Sequence, residues 1–221
     1  GVGEVALRDS GLLDVGGTLR VFDKSSLLLA GGTLRVRQLD LLGKFEFERG
    51  TLALTGPELR IGRGHGIPGV FDGDLDIRDD QHVDVVNGTA HVEDRGLLKI
   101  GRNASFKART GDNEGRILVE GGALQFVTSS VSKGLIEGID AVFRFDGGLR
   151  NEGQLTLEDS RVEGDVDNHG TLSFAGRNVV TGELGNAGEI SLLAGGQLDL
   201  LGNLLLGELA GEAGTVDVDG A

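Results

Sequence analysis

The residues most able to do chemistry sit in one short stretch, Gln81-His82-Val83-Asp84-Val85-Val86-Asn87-Gly88-Thr89-Ala90-His91-Val92-Glu93. Asn-Gly between two alternating runs is a strong hairpin signal, because both residues accept the positive φ that a two-residue turn demands. A turn at Asn87-Gly88 would set Asp84 opposite His91 and His82 opposite Glu93. Opposed Cβ atoms on one face would then stand about 5 Å apart. Imidazole and carboxylate groups so arranged suit Zn²⁺ or acid–base work near neutral pH. His82, Asp84, His91 and Glu93 are therefore the candidate metal ligands. The same residues also fit plain cross-strand charge pairing, or a corner of a repeat with no hairpin.

Other motifs are thinner. Gly64-His65-Gly66-Ile67-Pro68-Gly69 has the glycine spacing of a dinucleotide loop, but Pro68 and a strand-like run follow it where a helix is required. Asp72, Asp74 and Asp76 share one side of an alternating run and begin like a calcium loop, although Ile77 stands where glycine is needed. They read as a solvated face, with Ca²⁺ as the alternative. His65 and His169 fall in turn contexts, and no Gly-x-Ser-x-Gly elbow occurs. The chain has no Cys, so disulfides and Cys-based metal or redox sites are excluded. Its 35 acids against 21 bases give a net charge of −14, and the bases are scattered, which argues against nucleic acid as a partner.

What must position any such residues is a repeat. Phe145-Asp146-Gly147-Gly148-Leu149-Arg150-Asn151-Glu152-Gly153-Gln154-Leu155-Thr156-Leu157 is one copy, and the phrase recurs around Asn168-His169-Gly170-Thr171-Leu172. It recurs again around Asn186-Ala187-Gly188-Glu189-Ile190. A worn copy, with Glu212 in place of Asn, follows. Helical repeats and propeller blades need longer periods, and the alternation within each copy is that of a strand. The pattern therefore predicts an all-β chain of stacked parallel coils of roughly 17–20 residues, a β-solenoid. About 12 coils would make a rod on the order of 60 Å at the usual spacing of strands. Asn151, Asn168 and Asn186 would stack at one corner, beside Gly153, Gly170 and Gly188, whose glycines would supply positive φ. Gly17-Thr18-Leu19, Gly32-Thr33-Leu34 and Gly50-Thr51-Leu52 carry the phrase more weakly. The expectation is one solenoid over 1–221, with irregular coils and longer loops in 1–140 and regular coils in 141–221. Ser129–Ile139 breaks the rhythm and reads as a loop or a single helical turn.

Composition agrees. Forty glycines without a three-residue period and only two prolines exclude collagen, while 38% hydrophobic residues spread along the chain exclude a flexible linker. No apolar run reaches the length of a membrane span. The absence of Met points to a piece of a longer protein.

The repeat phrase, from Phe145-Asp146-Gly147-Gly148-Leu149-Arg150-Asn151-Glu152-Gly153 to Gly164-Asp165-Val166-Asp167-Asn168-His169-Gly170-Thr171-Leu172, resembles the repeat regions of exported bacterial β-helical proteins. It is similar to autotransporter passenger domains and to surface proteins that end in a PEP-CTERM-type sorting signal. The resemblance covers residues 143–218 and implies a right-handed parallel β-helix displayed outside the cell. The resulting expectation is a structural or adhesive segment without catalysis, facing extracellular polysaccharide or a host or neighbouring cell. The rival is a polysaccharide-degrading β-helix enzyme with its groove around 62–115, and a third reading is a calcium-stabilised filament.

Overall fold

The computed structural model describes residues 3–62, 73–206 and 215–218. Over these the chain is all-β, with no helix, and winds into a β-solenoid of about 10 coils. The first two coils are the long strands Glu4–Val21 and Ser26–Leu41, which pair in parallel along their length with register shifts where they bend. Lys44–Leu54, Glu58–Ile61 and Leu75–Ile77 form the third coil, and Gln81–Val92 with Leu97–Ile100 the fourth. Ser105–Asn113 and Arg116–Glu120 make the fifth, and Ala123–Phe126, Ser130–Ser132 and Leu135–Ile139 the sixth. The last four begin at Val142, Arg161, Arg177 and Gln197.

From the third coil on, each coil has three faces. Two belong to a 14-stranded sheet that bends around the solenoid, and the third to an 8-stranded sheet. All the recorded pairings are parallel, each strand lying beside its counterpart one coil away. Ser105 pairs with Ala123, Ala123 with Val142, Val142 with Arg161 and Arg161 with Val179, so these coils are nearly equal in length. The third and fourth coils are longer. Gly50 finds its partner only at Gln81, and His82 only at Ser105. These long excursions use up chain, which is why about 10 coils are found and not the larger number that a uniform repeat would give. Nine spacings of about 4.8 Å stack them to roughly 43 Å.

The core is a set of columns parallel to the stack. Leu75, Leu98, Ile117, Ile136, Leu155, Leu172 and Ile190 succeed one another on the third face, each almost fully buried. Val83, Phe106, Leu124, Phe143 and Val162 do the same on the first. Period-two alternation sends these residues inward and their neighbours outward. Gly138 leaves the room that the Phe143 ring occupies.

Two corners show why their residues are there. Leading into the first face, Asp80, Asn103, Asp140 and Asp159 recur at φ of 60°, 54°, 51° and 48°. This left-handed backbone penalises most side chains, and Asp, Asn and Gly tolerate it best. At the other corner stand Gly153, Gly170 and Gly188, none of which has a positive φ. Their role differs from the one expected. A Cβ on Gly153 would run into the carbonyl oxygen of Gly134, one on Gly170 into that of Gly153, and one on Gly188 into that of Gly170. The backbones of successive coils touch there, so closeness of approach, not dihedral freedom, demands glycine.

Ser129–Ile139 contains neither a loop-like break nor a helical turn. Ser130–Ser132 and Leu135–Ile139 are strands in register with the coils on both sides. The polar Ser130 and Ser132 point inward, where Gly111 N–H donates to Ser130 Oγ at 2.9 Å and Asn113 Nδ2 to Ser132 Oγ at 2.9 Å.

Candidate functional site

The hairpin at Asn87-Gly88 does not form. Gln81–Val92 is one forward-running strand, bent at Asn87 with φ 61°. Its first half pairs in parallel with Gly50–Leu54 and its second with Glu58–Ile61, and both pair with the fifth coil. Asn-Gly marks a left-handed backbone but not the direction the chain takes afterwards. Here neighbouring coils offer continuous ladders on both edges, so the chain bends around the solenoid instead of reversing.

The four candidate ligands are consequently dispersed. His82 Nδ1 lies 2.9 Å from Ser105 Oγ on the first face, and Asp84 is in register with Lys107. Beyond the bend, His91 Nδ1 lies 3.3 Å from Asp112 Oδ2, and Glu93 accepts from Arg60 at 2.6 Å. Among the described residues no group of three or more His, Cys, Asp or Glu side chains is placed to hold a metal ion. The candidate calcium face fares similarly. Asp74 Oδ1 accepts from Leu97 N–H at 2.9 Å and Asp76 pairs with Arg78 at 3.0 Å, while Asp72 lies outside the described residues. So do the Gly64–Gly69 loop and His65. His169 Nε2 lies 3.0 Å from Asp167 Oδ2.

The corner set is assembled by the stack itself. Asn151 Nδ2 donates to Asn168 Oδ1 at 2.7 Å, and Asn168 Nδ2 to Asn186 Oδ1 at 2.7 Å. All three are fully buried. Each Nδ2 also reaches backbone carbonyl oxygens, for example Asn168 to Glu189 at 3.0 Å. A buried amide that is hydrogen-bonded on both sides costs little and locks the register of successive coils. This is structural work.

Among the surface grooves of the described residues, two hold residues that the sequence singles out. One, of about 230 Å³, lies on the second face between the third and fifth coils and is lined by Arg60, His91, Val92, Glu93, Asp112 and Glu114. Arg60 contacts Glu58 at 3.3 Å as well as Glu93, and these two carboxylates, Glu58 first, hold its guanidinium more firmly in the charged form. His91 Nε2 is 3.8 Å from Glu58. The other groove, of about 420 Å³, lies at the bend between the first and second faces and includes Asp84, Asn87, Lys107 and Arg109. The sequence singles out His91, Glu93 and Asp84 but gives no sign of Glu58, Arg60, Lys107, Arg109, Asp112 and Glu114. Only the register of the two long coils, Gly50 to Gln81 and His82 to Ser105, would have exposed them, and no repeat phrase marks it.

The fold defines the class, a parallel β-solenoid. Compared with protein-family models, with curated proteins and with solved structures, the chain finds no match.

Proposed function

We propose that the chain is a structural and adhesive segment of a bacterial cell-surface or secreted protein. Its coils hold a stiff outer surface against extracellular polysaccharide or a neighbouring cell. The observation that carries this reading is the continuity of the core. One buried cluster runs without interruption from Leu7 in the first coil to Ile190 in the ninth. In such an array each coil is stabilised by its two neighbours, and side chains between the inward columns are free to vary. The function is thus one of extended surface, consistent with outward faces of Arg, Asp and Glu joined from coil to coil.

A second reading has one observation in its favour. The groove around His91 gathers Glu93, Asp112 and Glu114 beside Arg60, and polysaccharide cleavage employs paired carboxylates. Against it, Glu93 is engaged by Arg60 and Asp112 by His91, so neither stands clear to flank a glycosidic bond.

Beads coated with the protein and drawn by flow over polysaccharide films and bacterial lawns separate the readings, with released reducing ends assayed in the same stream. The expected result is retention above that of beads carrying the heat-unfolded chain, without new reducing ends. Equal retention by folded and unfolded chain would remove the adhesive function. Steady release of reducing ends would establish the enzyme.

A further inference from the structure

The groove at the bend between the first and second faces differs from the rest of the surface in its charge. Lys107 and Arg109 are exposed on the outward side of one strand, two residues and so about 7 Å apart. Many outward bases elsewhere are taken up by acids, several of them one coil on. Arg60 reaches Glu93, Lys99 reaches Glu120, Arg144 reaches Glu163 and Arg177 reaches Asp199, at 2.6–2.9 Å. Among the described residues the side chains of Lys107 and Arg109 make no ion pair and no hydrogen bond. Asp84 is the register partner of Lys107, but the two do not form an ion pair. On the other side Gln125 is turned away to Asp146 at 2.9 Å. In a chain of net charge −14, two adjacent uncommitted bases are a local exception.

The remaining lining restricts what they would hold. Asn87 is exposed at the bend, Thr128 is partly exposed, and Val127 presents 38% of its surface as an apolar step. A guanidinium matches a carboxylate in its plane and an ammonium adds a point charge. Asn87 and Asp84 suit hydroxyl groups, and Val127 suits the C–H face of a sugar ring. Nucleic acid suits the groove poorly, since no aromatic side chain lines it for base stacking. The groove crosses the fourth, fifth and sixth coils, so its long direction follows the stack and accepts a linear chain.

We propose that this groove binds a uronic-acid unit of an acidic polysaccharide, with Lys107 and Arg109 on the carboxylate and Asp84 and Asn87 on ring hydroxyls. The assignment rests on the adhesive reading above and names the chemistry of its partner.

Titration calorimetry of the whole chain tests it with three probes: a short linear oligouronate, the same oligomer with its carboxyls reduced to alcohols, and polyglutamate of similar length. The variants are Lys107→Gln/Arg109→Gln and, as a control on another corner, Lys133→Gln. Circular dichroism melting checks that each is folded. The oligouronate binds the wild type and the control alike. The double variant loses on the order of tenfold or more, as expected for removal of two charge-assisted contacts, and the reduced oligomer loses as much on the wild type. Equal binding by the double variant, equal binding of the reduced oligomer, or no binding by the wild type would overturn the site. Polyglutamate held as tightly, with the same loss on mutation, would overturn the saccharide in favour of an acidic peptide. Beads that still adhere to a polysaccharide film in excess oligouronate would sink the groove while leaving the adhesive function standing.

Discussion

At Gly170 a single hydrogen atom in place of a methyl group decides whether two coils can touch. The carbonyl oxygen of Gly153 occupies the space that a Cβ would need, and the same holds in turn for Gly188 over Gly170. Gly16, by contrast, is exposed, has no positive φ, and leaves open space where its Cβ would go. Gly170→Ala must therefore push the coils apart or bend the strand, at a cost of roughly 1–3 kcal/mol. Gly16→Ala should stay within about 0.5 kcal/mol of the wild type. Urea denaturation of both variants measures the contrast, and equal midpoints would refute the explanation by close approach. The sequence revealed where these glycines recur but not why. Positive φ belongs to another corner, where Asp80, Asn103, Asp140 and Asp159 adopt it. A one-dimensional pattern locates a corner, but the oxygen that presses on it comes from a residue one coil earlier, and nothing local reveals that.

Between coils, the elements are keyed by a buried polar column with one irregular rung. Asn113, Ser132, Asn151, Asn168 and Asn186 succeed one another in register. From Asn151 on, each amide donates to the next as far as Asn186. Below it Ser132 is too short to continue, and Asn151 Oδ1 is buried with no hydrogen-bond partner among the described residues. Ser132→Asn supplies the missing Nδ2 donor at the position that Asn151 itself fills beneath Asn168. The variant should gain about 1 kcal/mol, the usual net worth of one hydrogen bond, read as a raised midpoint in urea with an unchanged slope. A loss of stability would mean that the coil has no room for the longer side chain. This rung also explains why the sequence misleads here. Ser129–Ile139 reads as an interruption because serine stands where the phrase has Asn or an apolar residue. Stacking gives Ser130 and Ser132 buried hydrogen-bond partners from the neighbouring coil, so the strand survives. The grooves are hidden for a related reason. Lys107 and Asp84, or His91 and Asp112, meet only through the register of a coil longer than the period that the repeat phrase displays.

For the whole molecule, the consequence of stacking is that a coil is a removable unit. Arg161–Asn178 is one such unit, because Arg161 is the register partner of Val179. Deleting residues 161–178 joins Ser160 to Val179 and keeps the left-handed Asp159 one residue before the junction. Asn151 then meets Asn186, Leu149 meets Leu184, Leu155 meets Ile190 and Phe143 meets Val180, like on like in every column. Arg144 loses its partner Glu163, and Asp199 loses Arg177, but both pairs are exposed and such pairs contribute about 0–1 kcal/mol. The shortened chain should fold with the same β-type circular dichroism, and its denaturant slope should fall by about a tenth, in proportion to the surface a ten-coil stack exposes on unfolding. Deleting only residues 161–169 removes part of a coil. It places strands that belong on one face against those of another and turns inward columns outward, so that chain should not fold. If both deletions fold equally well, register is not what holds the stack together; if neither folds, the coils are not independent units but parts of one indivisible core. Survival of the first alone would show that stability here is carried by neighbour-to-neighbour contact. That is the property that would let such a chain present loops and grooves of differing length, as at residues 58–114, without loss of the rod beneath them.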